Sequence, residues 1–360
     1  MEYRFLSPAE AREQLADSSR DLFAGTVHYH TARSHDVASR MMYRPETLAM
    51  KARSRGIRHA VAADHWSSRH PIPHYQGQGP HGAEPAVTIP GTTVTATENR
   101  YERPIEQEFV LASAAPAEEF ARETRAFFYD PSLERLAFLR NTKGWLVVLP
   151  HPFENYDNAF RLTDTNARDY TRHVVNILRT LRPVVEINAC VSPELNDLAL
   201  YAAKRLGLPL IANSDTHIGN FNAYSLAPGK SFEEWSSNVM RGDQTYHVRH
   251  DLAFDDVVRE TTTRVLDLFG DDLSPADLEA YTLTTKNAFV NAAIALIKQH
   301  RTIPGVRTAA GAASLLASPL CAWEHLGQQH RAARRIRLHL EQILDEHDAG
   351  VVNISSHRAA

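Results

Sequence analysis

His28, His30, His65, His151, Asp215 and His217 are of the types that hold a divalent cation through nitrogen and oxygen. Their spacing is informative. His28 and His30 are two apart, as are Asp215 and His217, and in an extended strand that period points both side chains of a pair to one face. His151 stands in Leu149-Pro150-His151-Pro152, where two prolines restrict the backbone and set the direction of the imidazole. Asp36 begins the loop after His30 and is placed to fold back as an oxygen ligand, with His35 as the competing choice. Ser214 and Thr216 bring hydroxyls suited to bonding the ligands beside them. The set contains no sulfur, which suits zinc, manganese or iron. A single histidine of this kind is more often structural or solvated; recurrence at successive strand ends carries the reading.

The elements that must position these groups follow from periodicity and punctuation. A helix is expected from Pro8 to Asp17, capped by Ser7 with Glu10 completing a capping box. The strand Leu22 to His30 leads into the first histidine pair. A helix from Pro45 to Arg55, closed by Gly56, precedes the strand Ile57 to Ala63, which ends at Asp64 and His65. Asp64 and His65 also fit a capping pair at a turn. Further strands are expected at Ala86 to Pro90, Val94 to Ala96, Phe109 to Ser113, Trp145 to Leu149, Val184 to Ile187 and Leu210 to Asn213. Helices are expected at Pro116 to Leu139, interrupted at Pro131, and at Ala167 to Leu181 and Pro193 to Leu206. Continuously apolar strands separated by helices imply a parallel sheet, and this many units favours closure into a barrel. His70 to Glu84 reads as a long loop able to overhang the site. Beyond Arg249 the pattern becomes helical: Leu252 to Leu268, Pro275 to Gln299 and Ala332 to Asp345. The expected organisation is a hydrolase barrel over 1–249 and a helical C-terminal extension over 250–360. Ile336, Leu340 and Ile343 share one side of the last helix, for packing on the barrel or on a second subunit of a homo-oligomer.

The segments His28-Tyr29-His30-Thr31 with Ser34, Ala62-Ala63-Asp64-His65, Pro150-His151-Pro152, Glu186-Ile187-Asn188 and Asn213-Ser214-Asp215-Thr216-His217 resemble the ordered motifs of the PHP (polymerase and histidinol phosphatase) family over roughly Phe23 to Tyr246. The resemblance implies an α/β fold, a distorted (β/α)7 barrel, a cluster of two or three divalent ions and phosphoesterase activity. By position, His28, His30, His65, His151, Asp215 and His217 match metal ligands, and Asp36 or His35 matches the ligand of the first loop. This chain departs from the family's pattern at three positions, one of them on the strand where the family often carries a histidine and this chain reads Glu108-Phe109-Val110-Leu111. Thr26 stands where the family carries an acidic residue, and Thr93 where it carries a bridging glutamate. Glu98 is the expected substitute, with Glu108 as the alternative, and the cluster is expected to hold fewer metals if neither serves.

The function expected from this set is hydrolysis of a small-molecule phosphate monoester by metal-activated hydroxide. Asp215 or His217 would also orient the water. Arg33 and Arg69 are candidates for holding phosphate oxygens, His35 is a further substrate contact, and Glu186 and Asn188 line the mouth as substrate contacts or as partners of the ligands. Two rivals stand beside this reading: hydrolysis of an amide or lactone, and a non-catalytic metal-binding domain.

Composition narrows the field. The 360 residues are 43% hydrophobic and 23% charged, as in folded globular chains, and the net charge of -4 offers no general attraction for nucleic acid. Cys190 and Cys321 cannot build a disulfide framework, which fits a reducing compartment. Cys190 reads as a packing residue rather than a nucleophile. The start, MEYRFLSP, has no secretion signal, so a cytoplasmic location is expected. The most apolar stretch, Thr308 to Trp323, is broken by Gly311 and Pro319 and is shorter than the roughly 20 residues a membrane span needs.

Overall fold

A computed structural model describes residues 3–17, 21–32, 34, 37–38, 40–64, 91–98, 105–129, 132–154, 166–249, 253–270, 273 and 288–357. Helix α1 (Pro8–Ala16) opens with the expected capping box: Ser7 Oγ accepts from Glu10 N, and Glu10 Oε2 accepts from Ser7 N at 2.8 Å. Strand β1 (Leu22–Thr26), helix α2 (Pro45–Ser54) and strand β2 (Ile57–Ala60) form a parallel unit, with Thr26 opposite Ala60. Gly56, at φ 81°, makes the left-handed turn between α2 and β2 that a side chain would disfavour.

Strands β3 (Gly91–Glu98) and β4 (Ile105–Ala112) pair antiparallel, and β4 pairs antiparallel with β5 (Leu146–Leu149) after helices α3 (Ala117–Tyr129) and α4 (Leu133–Asn141). The chain then alternates α5 (Ala167–Leu181), β6 (Val184–Asn188), α6 (Pro193–Leu206) and β7 (Leu210–Asn213), with β5, β6 and β7 parallel. Strand β8 (Ala223–Pro228) returns to pair antiparallel with β1, and β9 (Thr245–Val248), after α7 (Phe232–Arg241), pairs antiparallel with β8. Helices α8 (Ala253–Asp267), α9 (Ala288–His300) and α10 (Val306–His357) complete the described elements.

The strands form a four-stranded sheet, β2-β1-β8-β9, and a five-stranded sheet, β3-β4-β5-β6-β7. This corrects the expected (β/α)7 barrel: the fold is α/β, but among the described residues the two mixed sheets do not close. The apolar strands misled for a physical reason. Val148, Val184 and Ile211 face a layer that also holds Val27, Val61, Ala227 and Trp235, while Val147, Val185 and Ala212 face the core of α5, α6 and α10. A strand covered by a second sheet on one side and by helices on the other is as apolar as a barrel strand, so pattern alone does not separate the two arrangements.

The C-terminal region differs from expectation in one element. In place of a short helix over 332–345, α10 runs from Val306 to His357, straight through Pro319. Pro319 and Gly311 read as breakers, yet Ala310, Ser314, Ser318 and Ala322 are buried at helical spacing, and Thr262 Oγ1 of α8 donates to Ser318 Oγ at 2.8 Å. Tertiary contact overrides the local penalty. Further along, Ala333, Ile336, Leu340, Ile343 and Leu344 enter the same core as α5 and α6. No described helix is long and apolar enough to cross a membrane. The expected strand at Ala86 to Pro90, the loop His70 to Glu84 and the first half of the helix expected at Pro275 to Gln299 lie outside the described residues.

Candidate metal centre

The first histidine pair lies beyond the end of β1, where the chain stays extended beside the end of β7. Asp215 N donates to His28 O at 2.9 Å and His30 N to Thr216 O at 3.0 Å, with Tyr29 bridging to Thr216. Alternation sends Tyr29 into the core against Phe221 and both imidazoles to the other side. Asn213, buried at the end of β7, locks the two segments together by accepting from Val27 N at 2.8 Å. Asp64 receives both the backbone N and the hydroxyl of Thr31, at 2.6 and 2.7 Å, and so pins the loop after His30 to the end of β2.

His28, His30 and Asp215 form one group suited to a cation, and His28, His151 and Glu186 form a second. The Nε2 atoms of His28 and His30 both lie 3.2 Å from Asp215 Oδ1, and His151 Nε2 lies 3.9 Å from Oδ2. The rings of His28 and His151 stack at 5.7 Å, and those of His30 and His217 at 4.4 Å. The two groups share His28 and offer nitrogen and oxygen atoms without sulfur, which fits divalent cations of the zinc, manganese or iron class. Tautomers fit as well. His28 Nδ1 donates to Glu186 Oε1 at 2.8 Å, so that with a cation bound Nε2 would be the nitrogen offering its lone pair. Two site residues, His151 at φ 27° and Asp215 at φ 46°, sit in the sparsely populated left-handed region, strain of the kind that concentrates at functional positions.

The electrostatics demand positive charge. Burial pushes the Asp215 carboxyl up, but His28, His30 and His217 outweigh it and hold it well below the usual carboxylate range. Glu186 is likewise pushed up by burial and brought down, on balance, mainly by His28. Burial alone would lower the His28 imidazole, yet Asp215 and Glu186, with a contribution from Glu108, raise it to about 9. In a metal-free protein a proton on His28 stands where a cation would otherwise balance these anions. The Cys190 thiol donates to Ser214 O at 3.2 Å, and burial first, then nearby carboxylates, push its pKa well above normal. It is therefore a protonated packing group and not a thiolate ligand.

Of the residues expected from sequence, His28, His30, His151, Asp215, His217, Glu186 and Asn188 converge here. Glu186, with no exposure to solvent, accepts from His28, Asn213 Nδ2, Asn188 Nδ2 and His151 N. Asn188 Nδ2 also donates to Asp215 Oδ2 at 3.1 Å. His65, Arg33, His35, Asp36 and Arg69 lie outside the described residues, as does the side chain of Glu98, whose backbone pairs with Ile105 at the end of β3. Glu108, half-buried on β4, acts on His28.

Sequence reasoning missed four residues. Asn213 opens the last motif and ends an apolar strand, yet it was given no role of its own. Glu154 Oε2 lies 3.9 Å from His151 Nδ1, while Oε1 takes the Gln329 amide of α10. Gln329 in turn accepts from Ser192 N at 2.6 Å, tying the His151 turn to the start of α6. Glu260 of α8 stands 2.8 Å from His217 Nδ1. Glu154, Gln329 and Glu260 have no local signature, because their partners come from distant parts of the chain.

No family model matches the sequence, and no curated protein matches it. Among solved structures, the chain is similar to PsfC from Pseudomonas syringae, with a TM-score of 0.42 and 13% identity over 68% of this chain and 98% of that one. It is also similar to a protein from Bifidobacterium adolescentis provisionally named a metal-dependent phosphoesterase, with a TM-score of 0.34 and 16% identity over 53% of this chain and 87% of that one. At these scores neither likeness bears weight for the fold or the activity of this chain.

Proposed function

We propose that the chain is a metal-dependent hydrolase and, more narrowly, a phosphoesterase acting on a small phosphate monoester. The observation that supports it is the meeting of His28 Nε2 and His30 Nε2 at one Asp215 oxygen, with the far nitrogen of His28 held by Glu186. In this reading His28, His30, His151, Asp215 and His217 hold the ion or ions, with His65, Asp36 or His35, and Glu98 or Glu108 as further ligands. A bound divalent ion would lower the pKa of water and draw phosphoryl oxygens into place.

The protein's own groups do the rest. Glu186 fixes the tautomer of His28 and is too deeply buried to meet substrate, so its role is orientation. Asn188 holds the Oδ2 side of Asp215 and sets its rotation. Asp215 and His217 are the candidates for orienting the attacking water, and an imidazole not engaged by metal supplies the proton to the leaving alkoxide. Arg33, Arg69 and His35 are the candidates for binding the non-reacting phosphate oxygens.

The test is phosphate release from a panel of phosphomonoesters, before and after chelation, with zinc, manganese or iron(II) restored singly. Turnover that vanishes with chelation and returns with one metal is the expected result. Cleavage of amides or lactones without phosphate release would move the activity to a carbon centre. Ion binding without turnover of any of these would point to a non-catalytic metal domain.

A further inference from the structure

Helix α8 belongs to the segment beyond residue 249, yet it turns a row of charges inward. Asp256, Glu260, Arg264 and Asp267 recur at i, i+4, i+8 and i+11 and therefore share one face. Asp256 and Asp267 are only 3% and 2% exposed. A helix packed for stability alone would present apolar side chains at this spacing, because buried charge is costly unless paired. Each of the four has a partner. Asn222 Nδ2 donates to Asp256 Oδ2 at 2.5 Å, Glu260 Oε1 lies 2.8 Å from His217 Nδ1, Arg264 lies 3.9 Å from Glu260, and Arg40 Nη1 donates to Asp267 Oδ1 at 2.6 Å. Two of these contacts grip the segment that follows β7 and carries Asp215 and His217.

We propose that Glu260 is a positioning residue for the metal centre: it holds His217 with a proton on Nδ1, so that Nε2 carries the lone pair offered to the cation. Glu260 Oε1 stands 2.8 Å from Nδ1 as a close ion-pair contact without hydrogen-bond alignment, and at that distance a carboxylate favours the protonated nitrogen over one that carries a lone pair. Stacking of His217 on His30, at 4.4 Å and 21° between planes, then sets the ring's orientation. His28 likewise has a carboxylate, Glu186, at its Nδ1, there with hydrogen-bond geometry. Two imidazoles from different strand ends are thus each backed by a carboxylate, one from β6 and one from α8. Such outer carboxylates fix the tautomer and raise the basicity of a ligating histidine. The helical segment after the sheets is, on this inference, part of the centre. The inference rests on the metal-centre reading above.

The experiment uses the full chain freed of metal and titrated with zinc in competition with a chelating dye, alongside the absorption spectrum of the cobalt(II) form. Glu260→Gln is expected to weaken zinc binding about 10- to 100-fold and to shift the cobalt spectrum. Asp267→Asn, which removes a charge from the same helix face at the Arg40 contact, is expected to leave both unchanged. Equal affinity and an identical cobalt spectrum for Glu260→Gln and the parent would overturn the inference while leaving the metal centre standing. A parent protein that binds no divalent ion would instead overturn the metal-centre reading itself. Should Glu260→Gln fail to fold, the ring nitrogen shifts of His217 in the parent decide the matter: Nδ1–H is the expected tautomer, and Nε2–H would overturn the inference.

Discussion

His28 Nδ1 lies 2.8 Å from Glu186 Oε1, and neither side chain has more than 2% of its surface in solvent. The contact joins the segment just beyond β1 to the middle of β6. It leaves the other nitrogen of His28 facing Asp215.

Glu186 receives four donors, and a glutamine in its place could accept fewer and would turn its own N–H toward one of them. Removing one member of a buried charge pair costs about 3–5 kcal/mol. Glu186→Gln is expected to lower the thermal midpoint markedly and to weaken zinc binding in the same protein. Calorimetry with and without metal checks both, and a variant that melts with the parent would show that this network holds nothing together.

Asp215 sits at φ 46°, a conformation that asparagine tolerates and alanine does not, at a difference of about 1–2 kcal/mol. Asp215→Asn is expected to keep the fold by circular dichroism yet lose the ion and at least 100-fold in hydrolysis, about 2.7 kcal/mol of transition-state stabilisation. Asp215→Ala should lose the same activity and melt lower than Asp215→Asn.

The metal-free protein is expected to have its stability maximum near pH 6.5. His28 titrates at about 9 in the fold and 6.5 when unfolded. Its contribution is complete below 6.5 and disappears as pH rises through 9, because over that interval only the folded state keeps the proton. His325 of α10 behaves oppositely. Burial lowers it to about 4, and burial also lowers His59, so between 6.5 and 4 the unfolded state binds more protons and stability falls with acid. Melting scans in chelator across pH 4 to 10 check the shape. Saturating zinc should flatten the alkaline side, and His325→Gln the acidic side.

At Gly25 on β1, an added Cβ would stand 2.3 Å from Trp235 Cζ2. The indole cannot swing away, since it is fully buried and its Nε1 donates to Phe23 O at 3.1 Å. Gly25→Ala is expected to destabilise by about 1–3 kcal/mol through overpacking. Because β1 leads directly into His28, zinc affinity should fall as well. A lower urea midpoint with unchanged slope is the signature to seek.

The residues that meet at the candidate centre among the described ones were largely legible in the sequence, because their signals are local. Period-two pairs at His28/His30 and Asp215/His217, and a histidine between prolines at 151, need only the geometry of an extended strand to be read. Helix α6 carries its ends in its own residues: Pro193 opens it behind the Ser192 cap, and Gly207 closes it. Sheet connectivity was not legible. Val147 and Val148 are buried on opposite faces, and their sequence is the same whether the far cover is a closed barrel or a second sheet. Nor did Glu260 announce itself, since an acidic residue at helical spacing usually faces water. Only the packing of α8 against the loop after β7 decides that it faces His217, and that packing depends on contacts between residues more than forty positions apart. Chemistry written within a few residues was set by the chain order; which sheet met which, and which carboxylate backed which imidazole, was set by long-range burial.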